Sequence, residues 1–401
     1  MYKTEDKNVH LPNMNQPADF FAEFEPVSKE QWLERISKDL KGKPLADLYW
    51  HLNPEITVDP FGHPSDLPAA PPLQATPADW VVNEDIEESA EPAAANRQAL
   101  EALAFGAESV YFPFPGGNYS TVLQSMLDRI HPDYIHLHFG GPGVTAGPAA
   151  LLSALREIAR QQSVSQPHLR GSLYYDPAAE PGQVHDWRYL EELMQYAAQE
   201  LPGLRCVTVD GRTEHEGPEA AAGELAAILN RGLVYLEKLS ARGMDPARIA
   251  GQMQFSLYIG KSYFVEISKL RAFKILWANV LNAFGAELQY PVLDVRFSPD
   301  NYTDSLYSNM ICGTTMAMSA VLGGASRLTV LPYDTGREAQ ASYPRAFSRR
   351  IARNVQHLLN LESGLAGIAD PAAGSYYLEK LTGQLAESAW HKMQITRSGL
   401  N

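Results

Sequence analysis

Cysteine is scarce in this chain, since only Cys206 and Cys312 occur among its 401 residues. Two cysteines are too few for a disulfide framework or a cysteine-based zinc site, so a reducing, cytoplasmic setting is the default expectation. Long apolar runs are also missing, and we therefore expect no membrane-spanning segment. The polar stretch 1–12 does not contain the apolar core of a signal peptide.

Positive charge is also in short supply. Lysine and arginine together number 33 against 47 acidic residues, which gives a net charge of −14. Because no basic cluster offsets this excess, the composition argues against a nucleic-acid partner. Hydrophobic residues make up 45% and charged residues 20%, which is typical of a soluble globular protein.

The first part of the chain has the pattern of an arm. Ser28 and Gln31 have capping-box spacing before a helix that carries apolar residues at helical intervals. From residue 53 to about residue 80 the chain is rich in Pro, Ala and Asp and shows little periodicity, which is typical of an extended linker. We therefore predict an N-terminal helical arm and linker over residues 1–79 and a second domain over residues 80–401.

Apolar runs then alternate with amphipathic helical segments, as in a parallel sheet that is covered by helices. The eight candidate strands are 109–114, 134–140, 170–176, 205–211, 252–260, 290–298, 326–333 and 367–371. Eight βα units within a little under 300 residues favour a closed α/β barrel, a (β/α)8 TIM barrel. An open doubly wound sheet is the alternative.

His136 and His138 are the candidate metal ligands, because residues two positions apart on a strand project to the same side. Only His215 and Asp370 could complete such a site, which would make the protein a metal-dependent barrel hydrolase. A hydrogen-bonded histidine pair near the barrel mouth explains the pattern more simply. No nucleophile with an identifiable base is found, so the residue types alone predict no catalytic set.

Several blocks in the last third of the chain are similar to a known family. Residues 314–328, 345–363 and 370–390 resemble consecutive blocks of the methylmalonyl-CoA mutase barrel, and residues 223–245 and 263–280 resemble two of its helices. The resemblance implies a barrel whose axis admits the pantetheine arm of coenzyme A. It also implies a radical 1,2-rearrangement of methylmalonyl-CoA to succinyl-CoA with adenosylcobalamin, whose cobalt is bound by a separate C-terminal domain.

The catalytic motifs of that family are degenerate here. Asp85 stands where the family has a substrate-packing tyrosine, Tyr174 where it has a substrate-contacting glutamine, and Thr213 where it has a carbonyl-polarising histidine. Gln252 replaces the arginine that pairs with the substrate carboxylate. The full set of degenerate positions is Asn83, Asp85, Tyr174, Thr213, Gln252 and Gln254.

The resemblance therefore implies a structural, non-catalytic small subunit in a heterodimer with a catalytic large subunit. We expect no metal or cofactor in this chain and adenosylcobalamin in the partner, since the cobalt-binding D-x-H-x-x-G signature is absent and no C-terminal cobalamin-binding domain is expected. The alternative is a divergent acyl-CoA mutase barrel with contacts around Arg212, Tyr174 and Gln252 and its cobalamin domain on another chain. Self-association as a homodimer in isolation is left open.

Overall fold

The structure is a computed structural model that describes residues 25, 27–67, 79–87, 91–164, 168–179 and 186–399. The chain divides into two compact units, Met1–Tyr49 and Trp50–Asn401. Residues 68–78 of the predicted linker lie outside the described residues. The boundary at residue 79 accordingly stays a prediction.

The first unit contains helix α1 (Lys29–Asp39), which starts at a reciprocal cap. The backbone N–H of Gln31 donates to Ser28 Oγ over 3.3 Å, and the N–H of Ser28 donates to Gln31 Oε1 over 2.9 Å. Two of the orphan N–H groups at the helix start are satisfied in this way, and the predicted capping box is confirmed.

The second unit is built on eight parallel strands that follow one another in chain order. They are β1 (Val81–Asp85), β2 (Ser109–Pro113), β3 (His136–Gly140), β4 (Gly171–Leu173), β5 (Leu204–Arg205 and Val207–Asp210), β6 (Met253–Ile259), β7 (Leu293–Phe297) and β8 (Arg327–Thr329). The first half of β5 pairs with β4 and the second half with β6, on either side of Cys206. Because β8 pairs with β1, the sheet closes on itself. The predicted (β/α)8 barrel is confirmed.

At the ends of the barrel, one strand prediction is wrong and one strand was not predicted. The predicted eighth strand, 367–371, is not a strand: it begins at the last residue of a 3-10 helix (Leu365–Gly367), and Asp370 adopts a left-handed φ of 40° within a turn. The first strand, β1, was not predicted. Its residues Asn83 and Glu84 are buried although polar, so the strand does not have the apolar signature that marks the others.

Helices cover the outside of the barrel. They are α2 (Pro92–Ala104), α3 (Tyr119–Met126), α4 (Pro142–Ala146), α5 (Pro148–Gln161), α6 (Trp187–Glu200), α7 (Ala221–Ser240), α8 (Pro246–Gly251), α9 (Tyr263–Ala283), α10 (Leu306–Leu322), α11 (Arg345–His357) and α12 (Tyr376–Ser398). The last of them, α12, packs on α7 and α9. Among the described helices, none combines the length and apolar character needed to cross a bilayer.

A short hairpin (Trp50–His51 and Thr57–Val58) precedes the barrel and belongs to the same compact unit. Its Ile56 and Val58 are buried, and Gln384 Nε2 on α12 donates to the carbonyl of Thr57 over 2.8 Å. The hairpin is therefore part of the packed structure around α12.

The apolar core lies between the outer faces of the strands and the helices. The ring of Phe255 on β6, for example, is 4.7 Å from the rings of both Phe273 and Trp277 on α9. The interior of the barrel is different, since Ser109, Asp294 and other polar residues point into it, whereas barrels usually fill this space with branched apolar side chains.

Candidate functional site

The barrel interior is lined by small hydroxyl and amide side chains that satisfy one another across neighbouring strands. Gln254 Nε2 donates to Ser172 Oγ over 2.8 Å and to Thr208 Oγ1 over 2.9 Å. Asn83 Nδ2 donates to Thr329 Oγ1 over 2.8 Å. Because these polar groups are buried, each such bond removes a desolvation penalty, and the interior is a fixed network.

Asp294 on β7 is the centre of this interior and is fully buried. Its carboxylate accepts hydrogen bonds from Arg296 Nε over 3.0 Å, from Arg327 Nε over 2.9 Å and from Ser256 Oγ over 2.9 Å. Burial alone would raise the pKa of Asp294, but the two guanidinium groups lower it well below its usual range. The carboxylate is therefore ionised and held between two cations.

Tyr174, which follows β4, reaches across the interior to the same centre. Its hydroxyl donates to Asp294 and accepts from Arg296 Nη2 over 2.7 Å and from Arg327 Nη2 over 2.8 Å. Burial raises the pKa of Tyr174, so the hydroxyl stays protonated and can donate. The phenol thus joins strands from different sides of the barrel.

Two aromatic rings and a further carboxylate also belong to this cluster of interior side chains. The guanidinium of Arg296 lies 4.6 Å from the ring centroid of Tyr111 and pairs with Asp85. The rings of Tyr111 and Tyr174 meet edge to face at 4.8 Å. We call the group Asp85, Tyr174, Asp294, Arg296 and Arg327 the interior plug. It fills the barrel axis with bonded side chains where an open bore would be needed to admit a long ligand.

The structure brings together four of the six degenerate positions predicted from the sequence. Asn83, Asp85, Tyr174 and Gln254 all contribute to the interior network. The other two positions lie apart from it.

Thr213 is exposed in the 3-10 helix Gly211–Glu214, beyond the carboxyl end of β5. Gln252 precedes β6 at its amino end, where its carbonyl accepts from the N–H groups of Cys206 and Val207. Neither residue therefore shares a site with the four interior positions.

Three central members of the plug were missed by the sequence reasoning, namely Asp294, Arg296 and Arg327. Asp294 and Arg296 alternate with apolar residues in the run LDVRF of β7, so both side chains point inward. Charged residues at alternate positions of a buried parallel strand are the signal that could have identified them.

Arg212, one of the contacts of the acyl-CoA alternative, is already neutralised. Its Nε donates to Asp210 Oδ1 over 2.7 Å, and its guanidinium lies 5.3 Å from the ring centroid of Tyr174. Burial would lower the pKa of Arg212, but the bond to Asp210 raises it above its usual value. The cation is therefore fixed above the plug and bonded to its own neighbour.

The two candidate metal ligands on β3 lie beside a cation. His138 Nδ1 is 2.7 Å from Ser172 Oγ, and its Nε2 is 2.6 Å from Arg327 Nη1. Burial and then the charge of Arg327 lower the pKa of His138 well below 6.5. Burial and then Arg170 lower the pKa of His136 to about 4. A guanidinium against the imidazole leaves no room for a metal ion there.

The two residues that could have completed a metal site have other partners. His215 Nδ1 lies 3.1 Å from Glu224 Oε2, and Asp370 accepts from Arg271 Nε over 2.9 Å. Within the described part of the chain, no group of three or more His, Cys, Asp or Glu side chains is placed to hold a metal ion. The geometry therefore gives the hydrolase hypothesis no support.

Comparison with known proteins places this barrel in a family. The family model "Methylmalonyl-CoA mutase" matches residues 123–399. The chain is 31% identical to the methylmalonyl-CoA mutase small subunit of Porphyromonas gingivalis and 32% identical to that of Streptomyces virginiae, over 92% of this chain in each case. It is 29% identical to the methylmalonyl-CoA mutase of Rhizobium meliloti over 90% of this chain.

This chain spans 63% of the length of the two small subunits and 57% of the Rhizobium protein. The matches run through the barrel, which is where the framework blocks 314–328, 345–363 and 370–390 lie. On the strength of the family match over residues 123–399, the chain belongs to the methylmalonyl-CoA mutase family.

Proposed function

We propose that this chain is a structural, non-catalytic small subunit of a methylmalonyl-CoA mutase. It pairs with a catalytic large subunit in a heterodimer and stabilises it, while the assembly interconverts methylmalonyl-CoA and succinyl-CoA by radical 1,2-rearrangement. The observation that carries this proposal is the interior plug, in which Tyr174, Asp294, Arg296 and Arg327 fill the barrel axis with mutually bonded side chains.

The plug is energetically difficult to open. A pantetheine arm along the axis would have to separate Asp294 from its two arginines, and removing one partner of a buried ion pair costs about 3–5 kcal/mol. The arm would make few charged contacts in return, since a thioester-linked chain cannot replace a carboxylate. Acyl-CoA binding along this axis is thus opposed by the chain's own residues.

The proposed small-subunit role also predicts where the cofactor binds and in which compartment the protein works. We place adenosylcobalamin in the large subunit, because the imidazoles of His138 and His215 in this chain are already held by Arg327 and Glu224. The cytoplasm is the compartment that fits the two unpaired cysteines, Cys206 and Cys312.

Two measurements test the proposal. In calorimetric titration, the isolated chain should give no binding heat with either methylmalonyl-CoA or adenosylcobalamin. Co-expressed with the large subunit of the same organism, it should elute from size exclusion as a heterodimer. Failure to co-elute would remove the subunit role.

The divergent acyl-CoA mutase barrel is the competing hypothesis, and it requires an open interior around Tyr174. Micromolar binding of methylmalonyl-CoA by the isolated chain would favour that hypothesis over the structural role. A Tyr174→Ala variant is a useful comparison, since the loss of the phenol leaves Asp294, Arg296 and Arg327 in place and should not create acyl-CoA binding.

A further inference from the structure

Helix α10 (Leu306–Leu322) has no charged residue in its sequence LYSNMICGTTMAMSAVL. Its outer side exposes Tyr307 to 80% and Ile311, one turn later, to 70%. An outer helix of a soluble barrel normally carries charged and polar residues on its solvent side. An uncharged outer face with large exposed side chains is instead typical of a surface that another protein covers.

A third exposed residue extends this surface beyond the helix. Tyr343, in the segment before α11, is 58% exposed, and its ring stacks on Phe347 with the centroids 4.6 Å apart. Helix α10 packs against α11, and Asn309 Nδ2 on α10 donates to the carbonyl of Tyr333 over 3.0 Å, so the segment before α11 lies beside α10. We define Tyr307, Ile311 and Tyr343 as the α10 face.

Neighbouring parts of the barrel already have a cover. Helix α12 packs over α7 and α9, with the ring of Tyr377 5.4 Å from that of Phe264 at the start of α9. The last residue of α10, Leu322, packs on the cluster of Ile267 and Leu378. In the part of the chain that the structure describes, nothing comparable lies over Tyr307 and Ile311, which remain exposed.

We propose that the α10 face is the surface that the catalytic large subunit covers, an inference that rests on the proposed function. The three exposed side chains present roughly 400 Å² of surface, about half of the ~800 Å² that each partner buries in a stable interface. Tyrosine is also enriched among the residues that dominate binding energy.

Charge argues against a second copy of this chain as the occupant. Each copy of this chain carries a net charge of −14, and two such copies repel each other. The relatives from Porphyromonas gingivalis and Streptomyces virginiae are named small subunits, which agrees with a different and larger partner.

The test is a titration of the full-length chain against the large subunit of the same organism. Tyr307→Glu places a carboxylate on the α10 face and should weaken the complex by roughly tenfold or more. Tyr134→Glu is the matched control. Tyr134 is 76% exposed, and it lies before β3, on the far side of the barrel from β7 and α10. This variant should bind within about twofold of the unchanged chain.

Thermal melting by circular dichroism checks that each variant folds. Ile311→Ser serves as a second, milder variant and should also weaken the complex. Unchanged affinity in both Tyr307→Glu and Ile311→Ser would overturn the proposal. So would a Tyr307→Glu variant that turns a self-associated chain into a monomer while it binds the large subunit normally, because a second copy would then be the occupant. Failure of the unchanged chain to bind the large subunit would instead remove the proposed function.

Discussion

The carboxylate of Asp294 lies in the part of a barrel where most proteins place hydrocarbon. An ionised carboxylate is very costly to bury alone, and this one is kept in place by Arg296, Arg327, Ser256 and Tyr174. The two arginines depend on it in turn, since both are buried and share its oxygens. The interior is therefore stable only as a complete set of charges.

Asp294→Asn should for this reason destabilise the chain by about 3–5 kcal/mol, because the buried Arg327 would lose its counter-charge and Arg296 would keep only Asp85. Urea unfolding monitored by circular dichroism measures the change. Asp304→Asn is the matched control: Asp304 is 86% exposed and pairs with Arg337 at the surface, so its loss should cost less than about 1 kcal/mol. Equal losses in the two variants would contradict a stabilising role for the plug.

The sequence predicted part of this site and could not predict the rest. Tyr174 was singled out because it stands where the family has a substrate-contacting glutamine, and the structure places it in the barrel interior. The partners of Tyr174 come from strands more than 100 residues away, Asp294 on β7 and Arg327 on β8. Local patterns do not indicate which residues meet across a closed barrel, so these pairs become visible only in three dimensions.

At the scale of elements, the hydrogen bonds of one buried arginine connect the last helix to the barrel. Arg271 on α9 is 3% exposed, and it donates to Asp370 over 2.9 Å, to Glu379 over 2.8 Å and to Thr382 over 3.2 Å. Glu379 and Thr382 lie on α12, while Asp370 lies in the turn before it. A single buried cation thus joins α9, the turn and α12.

Arg271→Met should therefore loosen α12 and lower the free energy of unfolding by about 3 kcal/mol, because Asp370 and Glu379 lose their common partner. Hydrogen exchange followed by mass spectrometry should show that, relative to the unchanged chain, exchange accelerates more in 370–398 than in the barrel strands. Arg188→Met on α6 is the control, since Arg188 is 77% exposed and pairs with Glu192 at the surface. If exchange in α12 stays as slow as in the unchanged chain, Arg271 does not hold the helix.

Whether a strand could be predicted from the sequence depends on how many of its residues are apolar. Strands such as β6 and β7 keep enough apolar residues to be recognised, although Gln254 and Asp294 point inward. In β1, polar residues occupy three consecutive positions, 83–85, so the strand was not recognised. The run 367–371, predicted as the eighth strand, is a turn that follows directly on a 3-10 helix.

At the scale of the whole molecule, the structured unit begins well before the first barrel strand. Residues of the hairpin region reach α12 through Glu55, which bonds Lys392, and through Asp59, which bonds Lys380. Ile56 and Val58 are almost fully buried. A domain that starts at residue 80, as the sequence analysis predicts, would not include these contacts.

Two truncated chains test this boundary. A chain that starts at Trp50 keeps the second compact unit intact and should melt within a few degrees of the full chain. A chain that starts at Trp80 loses Ile56 and Val58 and should be less stable by roughly 3 kcal/mol or more, since burying one such side chain contributes about 1.5–3 kcal/mol. Differential scanning calorimetry compares them. Equal melting temperatures would support a boundary near residue 79.

The interior plug also affects which amino-acid substitutions the barrel interior can accept. A barrel that must admit a polar substrate has to keep a hydrophilic channel, whatever the thermodynamic cost. Under the proposed non-catalytic role, this barrel has no substrate to admit and is released from that demand. Exchanging a buried ion network for well-packed hydrocarbon of similar volume is often neutral or stabilising by about 1–4 kcal/mol. Joint replacement of Tyr174, Asp294, Arg296 and Arg327 by aliphatic and aromatic residues is thus a route to a more heat-resistant scaffold.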